Sequence, residues 1–162
     1  MSVFPVMLNF VVMEVVIKEI VSDKKCYLDL LLLADEQESM IDRYLERGDM
    51  FVAETGGLAV AVCVVTVDGE VAEIKNLAVA KECQRRGYGR MMVDFVASRY
   101  VGRCRSLIVG TGDSPATVPF YERCGFTYSY RIKDFFTDNY DHPIVDGGII
   151  LTDMLYFSKK LC

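Results

Sequence analysis

Histidine is almost missing from this chain, and its cysteines lack metal-type spacing. One histidine in 162 residues accompanies Cys26, Cys63, Cys83, Cys104, Cys124 and Cys162, which lie at least twenty residues apart with no C-x-x-C pair. No clustered ligand set for a structural zinc results, so no metal is expected. An excess of basic charge is missing too. Eighteen Lys+Arg stand against twenty-three Asp+Glu, a net charge of −5 and a pI near 4.9. That is the wrong sign for neutralising a phosphate backbone, so nucleic acid is not an expected partner. The apolar start MSVFPVMLNFVVM is interrupted by Pro5, Asn9 and Glu14, short of the roughly 20 residues a membrane span needs, and it lacks the basic n-region of a secretory signal. The expectations are no membrane association, a cytoplasmic location and reduced thiols. No repeat, low-complexity tract or Pro/Gly/Ser linker divides the sequence. It therefore reads as one domain over residues 10–162, after a lead-in of residues 1–9 that is either an extension or irregular.

Hydrophobic residues make up 52% of the chain, and the mean hydropathy is +0.24, so the chain is globular. Val and Ile dominate residues 10–21 and predict a first strand. Two short helices follow, over residues 27–34 and 40–45, with Gly48 as the stop. Residues 50–55, 58–67 and 70–79 read as a meander of three strands turning at Gly56-Gly57 and Asp68-Gly69, the middle one buried on both faces. Tyr88, Met92, Phe95, Val96 and Tyr100 keep a 3.6-residue period and predict an amphipathic helix. A strand over residues 106–111 and a short helix starting from Thr117 as N-cap, with Pro119 in its first turn, come next. Phe126, Tyr128, Tyr130 and Ile132 alternate with polar residues as in a half-buried strand, and residues 149–157 form the last strand. The fifteen-residue connection 134–148 is long enough to carry function. The fold class is α+β, a mixed but mostly antiparallel sheet of six or seven strands with helices on both faces.

The most informative segment runs from Asn76 to Arg90 and joins a strand to a helix. Unpaired N–H groups at a helix start favour an anion, Gly87 and Gly89 allow close approach, and Arg85, Arg86 and Arg90 add positive charge. A diphosphate suits such a loop. No Walker A pattern is present. Gln84, Gly87 and Gly89, placed as Q-x-x-G-x-G after Leu77-Ala78-Val79, resemble the acetyl-CoA signature of the GNAT superfamily of N-acetyltransferases. Phe120 to Phe126, FYERCGF, is similar to that family's later F-Y-x-x-x-G-F motif. Glycines in an ordinary loop would explain either motif alone; the two together, in order, favour the cofactor. The resemblance covers residues 10 to 158, and the GTGDS stretch at Gly110 to Ser114 with the segment Asp134 to Ile144 resembles a bacterial-type branch.

The resemblance implies a sheet splayed between its fourth and fifth strands, with acetyl-CoA as co-substrate. The backbone of Leu77, Ala78 and Val79 would bind the pantetheine arm and polarise the acetyl carbonyl. Gln84, Arg85, Arg86, Gly87, Tyr88, Gly89 and Arg90 would hold the diphosphate, with Ser114 and Thr117 standing where the family often has Asn and Ala. Tyr121 matches the tyrosine that commonly serves as general acid, its alternative being a core aromatic beside Phe120 and Phe126. Glu73 matches the general base of the histone-acetyltransferase branch; the alternatives are an exposed glutamate facing Lys75, a water chain, or His142 as base. Acceptors in this fold usually meet the loop between the last two strands, here residues 134–148. Asp134, Phe136, Tyr140 and Asp141 on that loop suit a small cationic amine through charge and cation–π contact, unless the aromatics are core. Direct attack of the amine on the thioester in a ternary complex is the implied chemistry. A non-catalytic acyl-CoA-binding or regulatory domain is the alternative, and an exposed sheet edge allows a homodimer.

Overall fold

The structure is a computed structural model. It describes residues 1–8 and 11–162, with the side chains of residues 6–13 left aside. The chain packs as two compact units, Met1–Thr66 with Lys75–Val96, and Val67–Ile74 with Ala97–Cys162.

The first unit holds the strands β1 (Ser2–Leu8), β2 (Val11–Ile20), β3 (Asp49–Thr55) and most of β4 (Leu58–Asp68), in hydrogen-bonded order β1-β2-β3-β4-β5, where β5 (Val71–Val79) contributes its C-terminal part. β1, β2 and β3 pair antiparallel. The lead-in expected at residues 1–9 is therefore a strand over the residues described. Pro5, read as an interruption, sits on this end strand, where a missing N–H need not break a ladder. The boundary expected at Phe10 lies outside the described residues.

Two hairpin turns form as their glycines require. Gly56, Gly57 and Gly69 have φ of +57°, +79° and +58°, angles that only glycine adopts without strain. The central β4 buries seven consecutive residues, Val60 to Thr66, as its apolar run predicts. Along β3, period-2 alternation divides the core. Met50 and Val52 face a cluster with Leu31, Ile41, Tyr44 and Leu45 from the short helices α1 (Leu28–Ala34) and α2 (Glu38–Ile41) and the turns after them. Phe51 points the other way and meets Phe95 of α3 (Tyr88–Tyr100) edge-on, with ring centroids 5.2 Å apart. Helices thus cover both faces of this strand.

Lys24, a residue the sequence pattern does not single out, is only 6% exposed. Its Nζ donates to the carbonyls of Leu45 at 3.0 Å, Glu46 at 3.1 Å and Gly48 at 2.7 Å. An ammonium has three protons, and each finds an acceptor among carbonyls at the end of the helical segment. Gly48 closes the segment by donating to Tyr44 O at 2.9 Å, and a Cβ there would lie 2.7 Å from Val64 Cγ1.

The second unit has strand order β5-β6-β10-β7, with β6 at Ser106–Gly112, β7 at Thr127–Ile132 and β10 at Met154–Lys160. β10 pairs antiparallel with both neighbours, and β5 pairs parallel with β6 from Val71↔Ser106 to Ile74↔Val109. Helix α4 (Val118–Arg123) starts from Thr117 with Pro119 in its first turn, as expected, though the Thr117 side chain makes no capping bond.

Four expectations change here. The last strand begins at Met154 rather than residue 149 and inserts between β6 and β7. β7 is then an end strand exposed along its whole length, with Tyr128 56% and Tyr130 47% exposed, rather than half-buried. The segment 134–148 is not a bare loop: it holds α5 (Phe135–Asn139) and β8 (Val145–Asp146), which pairs just beyond it with β9 (Ile149–Ile150). Among the described residues eight strands make the main sheet, one or two more than the sequence pattern predicts, because β1 joins it.

Replacing Lys24 by Met keeps the aliphatic stem and removes the three donors. Orphaning buried carbonyls in this way is expected to cost about 3 kcal/mol. Urea unfolding of Lys24→Met will show a lower midpoint with an unchanged m-value; an unchanged midpoint would show that the contacts contribute nothing.

Candidate active site

The first unit carries the loop expected to bind the cofactor. β5 buries Ala72, Ile74, Asn76 and Ala78 and leaves Glu73, Lys75, Leu77 and Val79 half-exposed on the other face. Its parallel pairing with β6 covers Val71 to Ile74, and the strand continues five residues past that point. Asn76, 3% exposed, anchors the continuation: its Nδ2 donates to Leu31 O at 2.9 Å and to Tyr44 Oη at 3.1 Å. Tyr44 in turn donates to Asp35 Oδ2 at 3.1 Å. Burial first, then the Asp35 charge, push the Tyr44 phenol above its ordinary value, so it stays a donor. The Oδ1 of Asn76 is buried without a hydrogen-bond partner.

Beyond Val79 the chain turns through a 3-10 segment, Lys81–Cys83, into the helix α3. Gln84, expected at the cofactor, donates from Nε2 to Val79 O at 3.1 Å and braces the loop against the end of β5. Arg85 has φ +63° and Gly87 φ +89°, and a Cβ on Gly87 would meet nothing within 4 Å. This space lies at the helix start, since Met91 N donates to Gly87 O at 3.0 Å. The N–H groups of Gly87 to Arg90 thus precede the first intrahelical donor. The side chains of Arg85 and Arg86 are exposed, and Arg90 Nε lies 3.7 Å from Asp94. Tyr88 is 2% exposed, so its ring belongs to the core and only its backbone remains for a ligand. Amides, open space above glycine and guanidinium groups at the start of a thirteen-residue helix suit an anion such as a diphosphate.

The second unit carries the residues expected to move protons and to meet the acceptor. Glu73 Oε2 accepts a hydrogen bond of 3.1 Å from Tyr156 Oη, a partner 83 residues away that no local pattern could reveal. Tyr156 is 8% exposed, and its ring stacks on Tyr130 with centroids 4.7 Å apart and planes 5° from parallel. Burial and the charge of Glu73 hold the Tyr156 phenol above its ordinary value, which keeps its proton on the donor side. The same two causes raise Tyr130.

Tyr121 is 8% exposed and meets Phe120 and Phe126 edge-on, at 5.0 and 5.7 Å. The hydroxyls expected at the cofactor are engaged in the turn that enters α4: Ser114, 1% exposed, accepts from Ala116 N at 3.1 Å, and Thr111 Oγ1 donates to Thr117 Oγ1 at 2.7 Å.

The four expected acceptor residues share one segment but not one environment. Phe136 is buried in a small cluster with Ile144 and Leu151, and the half-buried Tyr140 stacks on it with centroids 5.6 Å apart. Phe136 is thus a core residue, the alternative already open for the aromatics of this segment. Asp134 is exposed at the start of α5, its N–H donating to Asp153 Oδ1 at 2.8 Å. Asp153, which the sequence reading missed, also accepts from Arg131 at 2.9 Å. The Asp134 amide, then Arg131, hold its carboxyl below the ordinary value. Asp141 is exposed and hydrogen-bonds His142. Among the described residues, no group of three or more His, Cys, Asp or Glu is placed to hold a metal ion, and no helix is long and apolar enough to cross a membrane.

Comparison with known proteins gives this geometry its context. A family model described as an acetyltransferase (GNAT) domain matches residues 46–128. The uncharacterised N-acetyltransferase YvbK of Bacillus subtilis (strain 168) is 35% identical over 130 residues, covering 78% of this chain and 84% of the relative. A GNAT family acetyltransferase from Elizabethkingia anophelis, solved with acetyl-CoA bound, superposes with a TM-score of 0.84 at 34% identity, over 91% of this chain and 98% of the other. A Bacillus subtilis acetyltransferase in complex with CoA gives a TM-score of 0.83 at 30% identity, over 91% and 99%. The family model spans the meander, the Gln84–Gly89 loop and the FYERCGF motif. Sequence, fold and relatives agree: the chain belongs to the GNAT family of acetyltransferases.

Proposed function

We propose that this acetyltransferase moves an acetyl group from acetyl-CoA to a primary amine, a small cationic one, by direct attack within a ternary complex. The observation that carries this reading is the Val79-to-α3 loop, which combines helix-start amides, open space above Gly87 and the Arg85 and Arg86 side chains. Support for the nucleotide comes from the relative solved with acetyl-CoA bound. In this reading the amides of Gly87 to Arg90 hold the diphosphate, and the backbone of Leu77 to Val79 lies along the pantetheine arm and polarises the acetyl carbonyl.

Transfer to an ammonium must begin with loss of a proton, because only the neutral amine is a nucleophile. Glu73 takes that proton. The amine nitrogen then bonds to the thioester carbon, and the tetrahedral oxyanion is met by backbone N–H groups. On collapse the carbon–sulfur bond breaks, Tyr121 supplies a proton to the departing thiolate, and the second proton of the amine nitrogen returns to the Tyr121 phenolate. The amide product and the CoA thiol remain, with one proton released overall. Asp134 and Asp141 attract the cation through their charge.

Calorimetry with acetyl-CoA is expected to give micromolar affinity, about −8 kcal/mol. Gly87→Val places a β-branched residue at φ +89° in the proposed diphosphate space and should weaken that affinity at least ~10-fold with the helical circular dichroism unchanged. Equal affinity in the variant would remove the diphosphate from this loop.

Against a panel of diamines, polyamines and amino sugars, Tyr121→Phe and Glu73→Gln are each expected to lower kcat by about 10²–10⁴ while acetyl-CoA affinity stays within about twofold. Wild-type turnover in both would remove the proton-transfer roles and leave the family intact. For a cationic acceptor, Asp134→Asn combined with Asp141→Asn should raise KM roughly tenfold at low salt, with the difference shrinking as salt is added. A neutral amine should show no such change.

A further inference from the structure

Tyr130 on β7, Tyr156 on β10 and Gly110 on β6 stand opposite one another in the second unit, and Glu73 on β5 pairs with Ile108, two residues along β6 from Gly110. The register places Tyr156 opposite Tyr130 on one side and opposite Gly110 on the other. To reach a carboxylate two strands away, the Tyr156 side chain has to cross β6. It crosses where β6 has no side chain: a Cβ on Gly110 would lie 2.9 Å from Tyr156 Cζ and 2.6 Å from Met154 Sδ. Gly110 does not have a positive φ, so backbone conformation does not demand glycine there. The demand comes from the space that the Tyr156 ring and the Met154 side chain occupy.

We propose that Tyr156 is the positioning residue for Glu73, and that Gly110 is the notch that lets its ring cross the sheet. Stacking on Tyr130 at 4.7 Å holds the ring plane, and the hydroxyl, 3.1 Å from Oε2, holds the carboxylate. A glutamate side chain has three rotatable bonds to fix. A hydrogen bond from a buried donor to the charged oxygen limits them before the acceptor arrives, which removes an ordering cost from the chemical step. Tyr156 thereby acts through Glu73 and has no contact of its own with the reacting atoms.

This inference rests on the reading of Glu73 as the base, and the experiment separates the two. Proton NMR of the full chain tests the contact without any acceptor: the Tyr156 hydroxyl proton should give a resolved downfield signal that Tyr156→Phe removes and that Glu73→Gln and Gly110→Ala displace. Turnover with the best amine of the panel tests the role. Tyr156→Phe keeps the ring stacked and should lower kcat about 10–100-fold with both KM values within about threefold. Gly110→Ala should fall in the same direction. In the Glu73→Gln background, Tyr156→Phe should add less than about threefold, because the group it positions is gone; an equal further loss there would mark a structural effect and overturn the proposal. A slow Glu73→Gln beside wild-type rates for Tyr156→Phe and Gly110→Ala overturns the positioning role and leaves the base standing. A Glu73→Gln enzyme at the wild-type rate overturns both.

Discussion

A strand that runs beyond its neighbour must satisfy its backbone polar groups by other means, and the site in the first unit depends on how β5 does so. Its parallel pairing with β6 covers Val71 to Ile74, and the strand continues to Val79. Gln84 supplies a donor to Val79 O, and Ala80 N finds Val60 O at 2.8 Å. Asn76 holds the strand from its buried face through Leu31 O and Tyr44 Oη. A segment fixed at both ends keeps its geometry while offering backbone groups to an extended ligand, as an edge strand does. The proposed pantetheine contact with Leu77 to Val79 uses that property.

Three buried polar side chains do related work at different places. Lys24 gathers the carbonyls that end the helical segment, Asn76 ties β5 to α1, and Tyr156 reaches across a glycine to Glu73. Each makes long-range contacts that would be expensive to leave half-made in a low-dielectric interior. They specify which strand meets which turn more sharply than an aliphatic contact, because a hydrogen bond has a direction.

Much of the fold was legible because its signals are local. Gly56-Gly57 and Asp68-Gly69 placed the hairpins, the apolar run of β4 announced a strand buried on both faces, and the 3.6-residue period from Tyr88 to Tyr100 announced α3. The Gln84 to Gly89 motif led to the loop for a similar reason, since its chemistry lies in consecutive residues. What escaped was non-local or depended on an end position. Residues 1–9 read only as an extension or irregular lead-in because pattern reading cannot tell an end strand, where Pro5 is tolerated, from a central one. The pairing of Glu73 with Tyr156 spans 83 residues, and nothing near either residue signals it. Phe136 and Tyr140 read equally as ligand platform or core, and only packing with Ile144 and Leu151 assigns Phe136 to the core. Gln84 carried the motif, yet its side chain turned out to brace the loop.

In the proposed complex, backbone amides rather than side chains alone receive the nucleotide. Adding acetyl-CoA to isotopically labelled protein and following the amide resonances by NMR tests it residue by residue. The largest shifts are expected on Leu77 to Val79 and on Gly87 to Arg90, with those of β1 and β2 unmoved. Shifts confined to other segments, with these amides silent, would contradict it.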